Sequence, residues 1–210
     1  MKTIVSCWKR GRSRVIAAAA LLVLSACASS PSSRFYTLMP AADPPTGPQV
    51  TRPSETVEVT SVAVPAQVSR SELVIRSGAS EVKVLEQQRW ASPLADEIHA
   101  AFSAMLSHRL SVTGARNQSS ADETTLYRVG LNIQRFESWP GSHVLIDAVW
   151  QVHPTNGGRT LSCHSTVELP VTQGYDALAE GHRHALETIA DEVVASIRST
   201  QSQALLTCAA

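Results

Sequence analysis

The chain has 210 residues, with 18 Lys and Arg side chains against 18 Asp and Glu side chains and a formal net charge of zero. A chain without an excess of basic residues lacks the positive surface that neutralises phosphates, which argues against a nucleic-acid partner. Its length suits one domain with a substantial core.

Residues 1–26 have the pattern of a secretory signal peptide. A basic start is followed by the apolar run Val15 to Leu24, about half of the roughly 20 residues that a membrane-spanning helix needs. The basic residues of this start are Lys2, Lys9, Arg10, Arg12 and Arg14. Removing these five of the 18 basic residues would leave 13 against 18 acidic residues, a formal charge of −5.

The signal ends in Leu24-Ser25-Ala26-Cys27, which looks like a bacterial lipobox. Cleavage would then make Cys27 the first residue and the site of lipidation; the alternative is an ordinary secretion signal with a chance cysteine. Residues 28–33 are polar and predict a short tether. Ala28 follows the cysteine, where enteric lipoproteins held in the inner membrane tend to have aspartate. We therefore expect an anchor in the outer membrane, facing the periplasm.

Two cysteines, Cys163 and Cys208, remain after export and lipidation, because Cys7 would leave with the signal. In an oxidising compartment a disulfide between them can persist. The sequence gives no Cα separation, so a disulfide and two unpaired thiols both stay open.

The first half of the domain predicts short strands and a hairpin. Phe35 to Leu38 has the aromatic and β-branched content of a strand, and the prolines of residues 40–54 indicate a loop. Strands are then predicted over residues 55–64, 73–76 and 81–86, and Gly78 indicates a hairpin between the last two.

A helix is predicted next, with Ser92 as its N-cap and Pro93 at its first position. Asp96 and Glu97 are acidic residues at the positive end of the helix dipole, and Gly114 follows the predicted end at residues 110–111. The apolar positions at helical spacing are Leu94, Ile98, Ala101, Phe102, Met105 and Leu106.

Three alternating segments beginning near residues 124, 144 and 161 predict an antiparallel meander, and Asn156-Gly157-Gly158 indicates its second turn. A final helix is predicted over residues 176–198, with Gly181 weakening its first turns. Its apolar face has Leu178, Ala185, Leu186, Ile189, Val193 and Ile197.

These elements predict a single α+β domain, with a mostly antiparallel sheet and two helices packed on one face, in the order βββ-α-βββ-α. The expected organisation is a signal peptide at 1–26, a lipidated cysteine and tether at 27–34, the periplasmic domain at 35–200 and a tail at 201–210.

No common catalytic, nucleotide-binding or metal-binding motif occurs, so we predict no enzyme activity, cofactor or metal. In His182-Arg183-His184 the two histidines do not share a helix face, which favours a solvated surface over a metal site. Cys163 and His164 are neighbours on a strand and point to opposite faces, which disfavours a catalytic pair.

Asp147 lies within an otherwise apolar strand, on the same side as Leu145 and Val149. This mixed face is either a solvent-facing surface or a surface that receives a partner, since both helices are predicted to cover the other face.

A series of blocks along the chain resembles the PqiC-like ABC-type transport auxiliary lipoproteins, also described as membrane integrity-associated transporter subunits. The blocks are the lipobox, Phe35 to Leu38, Val57 to Val59, Val64-Pro65, Ser69 to Arg76, Glu86 to Leu94, Arg135 to Glu137 and Ala148 to Trp150. The chain departs from relatives at residues 66–68, where they often carry an aromatic residue and an aspartate.

The resemblance implies a non-enzymatic component of a lipid-trafficking system that supports envelope integrity. It implies an outer-membrane lipoprotein, held by acyl chains on Cys27, that meets an inner-membrane MCE-domain protein and forms a homo-oligomeric ring. It makes Ser69, Arg70, Arg76, Arg89 and Trp90 candidates for a partner interface, together with Asp147. For Trp90 and Arg89 the competing interpretation, a core side chain and its solvated neighbour, is favoured.

A second hypothesis is a periplasmic carrier that holds a lipid or another small molecule between its helices and sheet. Native mass spectrometry separates the two, because a carrier is expected as a monomer with bound lipid and a docking protein as a lipid-free oligomer.

Overall fold

Seven strands and two helices make up the part of the chain that the computed structural model describes, residues 32–40, 55–114, 125–201 and 208. They are β1 (Arg34–Tyr36), β2 (Glu55–Ala63), β3 (Glu72–Arg76), β4 (Val82–Trp90), α1 (Leu94–Gly114), β5 (Thr125–Trp139), β6 (His143–Pro154), β7 (Leu161–Pro170) and α2 (Tyr175–Gln201). The predicted α+β class is confirmed. The predicted signal peptide, Cys27 and most of the tether lie outside the described residues.

The strands form two sheets where the sequence predicts one. A three-stranded sheet has the order β1-β4-β3, and a four-stranded sheet has the order β2-β5-β6-β7. The hairpin of β3 and β4 and the antiparallel meander of β5, β6 and β7 are confirmed. Two parallel pairs, β1 with β4 and β2 with β5, join segments that are far apart in the sequence.

The core lies between the four-stranded sheet and the two helices. Alternate side chains of β6 point into it, as the period-two pattern predicts. The inward residues of this strand are Val144, Ile146, Ala148, Trp150 and Val152, all fully buried. Phe102 of α1 and Leu186 of α2 are also fully buried in the core.

The start of α1 fixes the position of β1 through one buried carboxylate. Glu97 accepts hydrogen bonds from the Thr37 hydroxyl (3.0 Å) and the Leu38 amide (3.1 Å). Ser92, predicted as the N-cap, instead donates its hydroxyl proton to Glu97 at 3.0 Å. The Pro93 carbonyl accepts the first amide bonds of the helix, which begins one residue later than predicted.

Helix α2 is longer than predicted and lies close to the sheet at Gly181. A Cβ atom there would lie 2.5 Å from Val171 Cγ1 and 3.0 Å from Val144 Cγ2, so a larger residue does not fit without a shift. Beyond the helix, Cys208 is bonded to Cys163 of β7, with their Cα atoms 5.6 Å apart. Among the described helices, none is both long and apolar enough to cross a membrane.

Candidate partner-binding face

The face of the four-stranded sheet that points away from the helices is the surface on which we focus, and we call it the outer face. It is built from the strand residues that alternate with the buried ones, brought into register by the β5-β6-β7 pairing. Its residues are Arg135, Glu137, Trp139, His143, Leu145, Asp147, Val149, His164, Thr166 and Glu168.

Glu137 is the charged centre of the outer face, and its side chain is nearly buried. Its carboxylate accepts hydrogen bonds from Arg76 Nη2 (3.0 Å), Arg135 Nε (3.1 Å) and Trp139 Nε1 (3.1 Å). Burial raises the pKa of this carboxyl, but the hydrogen bonds from Arg76, Trp139 and Arg135 outweigh it and hold the pKa below its usual value. Glu137 is therefore ionised at neutral pH.

Trp139 contacts both a cation and a second ring. The guanidinium carbon of Arg76 lies 5.9 Å from the centre of the indole ring, within the range of a cation-π contact. The ring of His143 is stacked with the indole at 5.5 Å, with an angle of 21° between the planes. The indole is half-buried, so part of an oriented aromatic surface faces outward.

Asp147 lies beside this cluster, in register with Arg135 of β5. Its carboxylate is 2.7 Å from Nε2 of His164 on β7, and Leu145 and Val149 lie on the same side of β6. The predicted sidedness of Asp147 is thus confirmed. The outer face combines fixed charges with the partly exposed side chains of Trp139 and Val149.

The other four interface candidates lie away from the outer face, where the chain enters α1. Trp90 is only 3% exposed and packs edge-on against Phe136, so it belongs to the core, as the competing interpretation holds. Arg89 is partly exposed and pairs with Glu72 at 2.8 Å. Ser69 and Arg70 are exposed, and the Arg70 carbonyl accepts the amide proton of Leu94.

The prediction of a solvated face at residues 182–184 is wrong for His182, which is fully buried. Its ring stacks on Phe136 at 3.8 Å, and Nε2 lies 2.8 Å from the Ser138 hydroxyl, while Nδ1 has no partner among the described residues. Burial lowers its pKa to about 3. Position 182 lies four residues from Leu178 and from Leu186, a spacing that indicates the buried face of the helix.

On the helix side, an open cleft of about 440 Å³ lies between α2 and the ends of α1 and β7. Its lining combines polar side chains, among them Arg109, His184, Glu187 and Asp191, with Leu169 and Pro170. The described residues contain no group of three or more His, Cys, Asp or Glu side chains placed to hold a metal ion.

One family model matches residues 36–194, and its description is "ABC-type transport auxiliary lipoprotein component". A crystal structure titled only as an uncharacterized protein is similar, with 19% identity, a TM-score of 0.59 and coverage of 80% of this chain and 99% of the other. A Xanthomonas campestris protein of family DUF330 has 19% identity, a TM-score of 0.55 and coverage of 82% and 98%. These two support the fold. No curated protein matches the sequence significantly.

Proposed function

Because the chain belongs to the family of ABC-type transport auxiliary lipoprotein components, we propose that it docks onto the inner-membrane MCE-domain protein of an intermembrane lipid transporter and supports envelope integrity. Membership makes it an auxiliary lipoprotein of an ABC-type transport system, held in the cell envelope by lipid and non-catalytic in its role. The identity of the partner, the transport of lipid and the outer-membrane location are the parts that we propose.

The docking proposal is supported mainly by the structure of the outer face. Both helices pack against the opposite face of the sheet, so neither helix covers this one, and Trp139, His143 and Val149 on it are partly exposed. Trp139 is held in one orientation by Arg76 and His143, and Trp and Arg are enriched among the residues that dominate binding energies at protein interfaces. A fixed aromatic ring loses little side-chain entropy on binding, so this face is prepared to receive a protein surface.

The proposed location is the periplasmic side of the outer membrane. The bond between Cys163 and Cys208 fits an oxidising compartment such as the bacterial periplasm. Ala28, rather than aspartate, follows the proposed lipidation site Cys27, which supports the outer membrane over the inner. In this arrangement residues 1–26 are removed and 27–34 hold the domain near the lipid.

A docking role is supported over a carrier role by the packing between helices and sheet. Large side chains fill this layer, among them Trp150, Phe102 and Leu131, each at most 2% exposed. A lipid chain held there would have to displace them, at a cost of several kcal/mol in lost core packing. We also propose a homo-oligomeric ring, for which mass photometry of the detergent-purified lipoprotein is the test.

The docking proposal is tested by pull-down from detergent-solubilised envelopes. The wild-type lipoprotein is expected to retain the MCE-domain protein, and Trp139→Ala to retain much less of it, because the oriented ring is lost. Val84→Ala is the matched control, since Val84 is an exposed apolar residue outside the outer face. Failure of the wild-type protein to retain the partner, with its anchor intact, would contradict the proposal.

The anchor is tested separately by Cys27→Ser. Two or three acyl chains bind a membrane far more firmly than one, so removing their attachment site is expected to move the folded domain into the soluble fraction. A Cys27→Ser protein that stays with the membrane after export would show that the lipid is attached elsewhere or that another element anchors the chain.

A further inference from the structure

Two large apolar side chains project from the segment that begins the folded domain. Phe35 is 65% exposed and Met39 is 41% exposed, which makes them two of the four large hydrophobic residues exposed in the described part of the chain. The other two, Val82 and Val84, lie on the β3-β4 hairpin. An exposed phenylalanine leaves most of its apolar area in water unless something covers it.

The segment around these side chains is held firmly in place. Tyr36 and Leu38 alternate with them and are buried, and the Tyr36 carbonyl accepts the amide proton of Ala91. The Leu38 amide is bonded to the Glu97 carboxylate at 3.1 Å. Because successive residues of an extended chain point to opposite sides, Phe35 and Met39 are fixed on the outward side.

We propose that Phe35 and Met39 contact the lipid surface to which the chain is anchored, and so orient the domain on the membrane. This inference rests on the proposed lipidation of Cys27. Phe35 lies eight positions after Cys27, so its Cα atom lies at most about 26 to 29 Å from that of the lipidated residue. In general, a flexible linker of eight residues has a typical span of about 16 Å.

Because the domain is tethered to the membrane, even a weak contact with the lipid surface is sufficient to orient it. Burying one or two apolar side chains is too weak to bind a free protein to a membrane. A tethered patch meets the surface at an effective concentration on the order of millimolar, which favours even such a contact.

This contact would also position the outer face. Strands β1 and β3 form the two edges of the three-stranded sheet, with β4 between them. Arg76 of β3 reaches the outer face at Glu137, whereas Phe35 lies on β1. A membrane contact at β1 thus leaves the β3 edge and the adjoining outer face available to a partner in the periplasm.

The test uses quenching of tryptophan fluorescence by brominated lipids. Lipidated protein carrying Phe35→Trp is placed in phosphatidylethanolamine and phosphatidylglycerol vesicles that contain bromolipid, and the signal of the parent protein is subtracted. Val84→Trp is the matched control, because Val84 is similarly apolar and 43% exposed. Met39→Trp provides a second probe should the Phe35 variant fold poorly.

Strong quenching and a blue shift for Phe35→Trp, with little quenching for Val84→Trp, are the expected results. No quenching at positions 35 and 39 in protein that floats with the vesicles would overturn the lipid contact and leave the anchor intact. Equal quenching of the control would overturn it too. A blue shift already present in soluble protein that also carries Cys27→Ser would mean that other residues of the chain cover the ring. Protein that fails to float would overturn the anchor and the contact together.

Discussion

At residue 182, helix α2 places an imidazole ring in the core as an aromatic packing partner. The ring stacks on Phe136 and lies edge-on to Trp90, and within the described part of the chain only its Nε2 atom has a hydrogen-bond partner, the Ser138 hydroxyl. A charged imidazolium at this depth would lose its hydration without a carboxylate to offset the loss. The core therefore accepts only the neutral ring.

This burial makes the stability of the domain depend on pH. The pKa of His182 is about 3 in the folded state, against an ordinary value of 6.5, so at intermediate pH the unfolded chain binds a proton that the folded chain does not. The free energy of unfolding is expected to fall as pH drops below about 6.5, by up to about 1.4 kcal/mol per pH unit. Urea denaturation at pH 7, 6 and 5 measures this slope.

His182→Phe is the control for that slope, because it keeps the stacked ring and removes the titrating group. Its stability is expected to change less than that of the wild-type protein between pH 7 and pH 5. Glu137 also titrates, but three hydrogen bonds outweigh the effect of burial and lower its pKa, so its contribution is lost at more acidic pH. Equal slopes for the two proteins would contradict the assignment to His182.

At the scale of elements, the close approach of α2 to the sheet depends on the absence of a side chain at Gly181. In an exposed helix, Gly to Ala stabilises by about 1 kcal/mol through backbone entropy. Here the new Cβ would lie 2.5 Å from Val171 Cγ1, so overpacking is expected to win and Gly181→Ala to destabilise by about 1 to 3 kcal/mol. Thermal or urea denaturation measures the sign directly.

A second substitution separates packing from other causes. Adding Val171→Ala to Gly181→Ala removes the atom that clashes, so the double variant should be less destabilised than the sum of the two single variants. Simple additivity, or a stabilising effect of Gly181→Ala alone, would mean that the helix moves away from the sheet without cost.

The bond between Cys163 and Cys208 joins β7 to the chain beyond α2. The two cysteines are 45 residues apart in sequence. Closing a loop of this length lowers the entropy of the unfolded chain, which raises the free energy of unfolding by about 4 kcal/mol. Reduction is therefore expected to lower the free energy of unfolding by up to that amount. Alkylation of the Cys27→Ser protein should label neither cysteine before reduction and both after it; full labelling beforehand would contradict the bond.

Local patterns were sufficient to predict the helices, the strands of the meander and the inward face of β6. They did not predict the parallel pairings of β1 with β4 and β2 with β5, because each joins distant segments and neither leaves a period in the sequence. The buried face of α2 was identified, yet His182 was assigned to a solvated surface because it does not share a helix face with His184, which argued only against a metal site. Its four-residue spacing from Leu178 and Leu186 was the stronger signal.

The candidate site could be predicted only in part from the sequence, because it too depends on contacts between distant segments. Alternation along the strand assigned Asp147 to a face of the sheet. The family resemblance made Arg76 a candidate for a partner interface. The convergence of Arg76, Arg135 and Trp139 on Glu137 depends on how the β3-β4 hairpin meets the end of β5. That arrangement brings Arg76 to a carboxylate 61 positions away in the sequence, and no local pattern encodes it.

At the scale of the whole molecule, the domain is an anchored platform that presents one face of a sheet. The helices and the opposite face form the core, β1 lies next to the tether, and the outer face carries oriented Trp139 and its charged neighbours. Under the proposed function, such a molecule acts by position: lipid fixes its distance from the membrane, and the sheet offers a partner a surface that is already ordered.

The central claim, that the outer face receives the transporter, is tested most directly by site-specific photo-crosslinking in intact envelopes. A photoreactive residue replaces Val149 on the outer face in one variant, and Ala195 on the exposed side of α2 in the other. The account predicts a crosslink to the inner-membrane MCE-domain protein from position 149 and none from position 195. Crosslinks from position 195 alone, or none from position 149 in membrane-anchored protein, would contradict it.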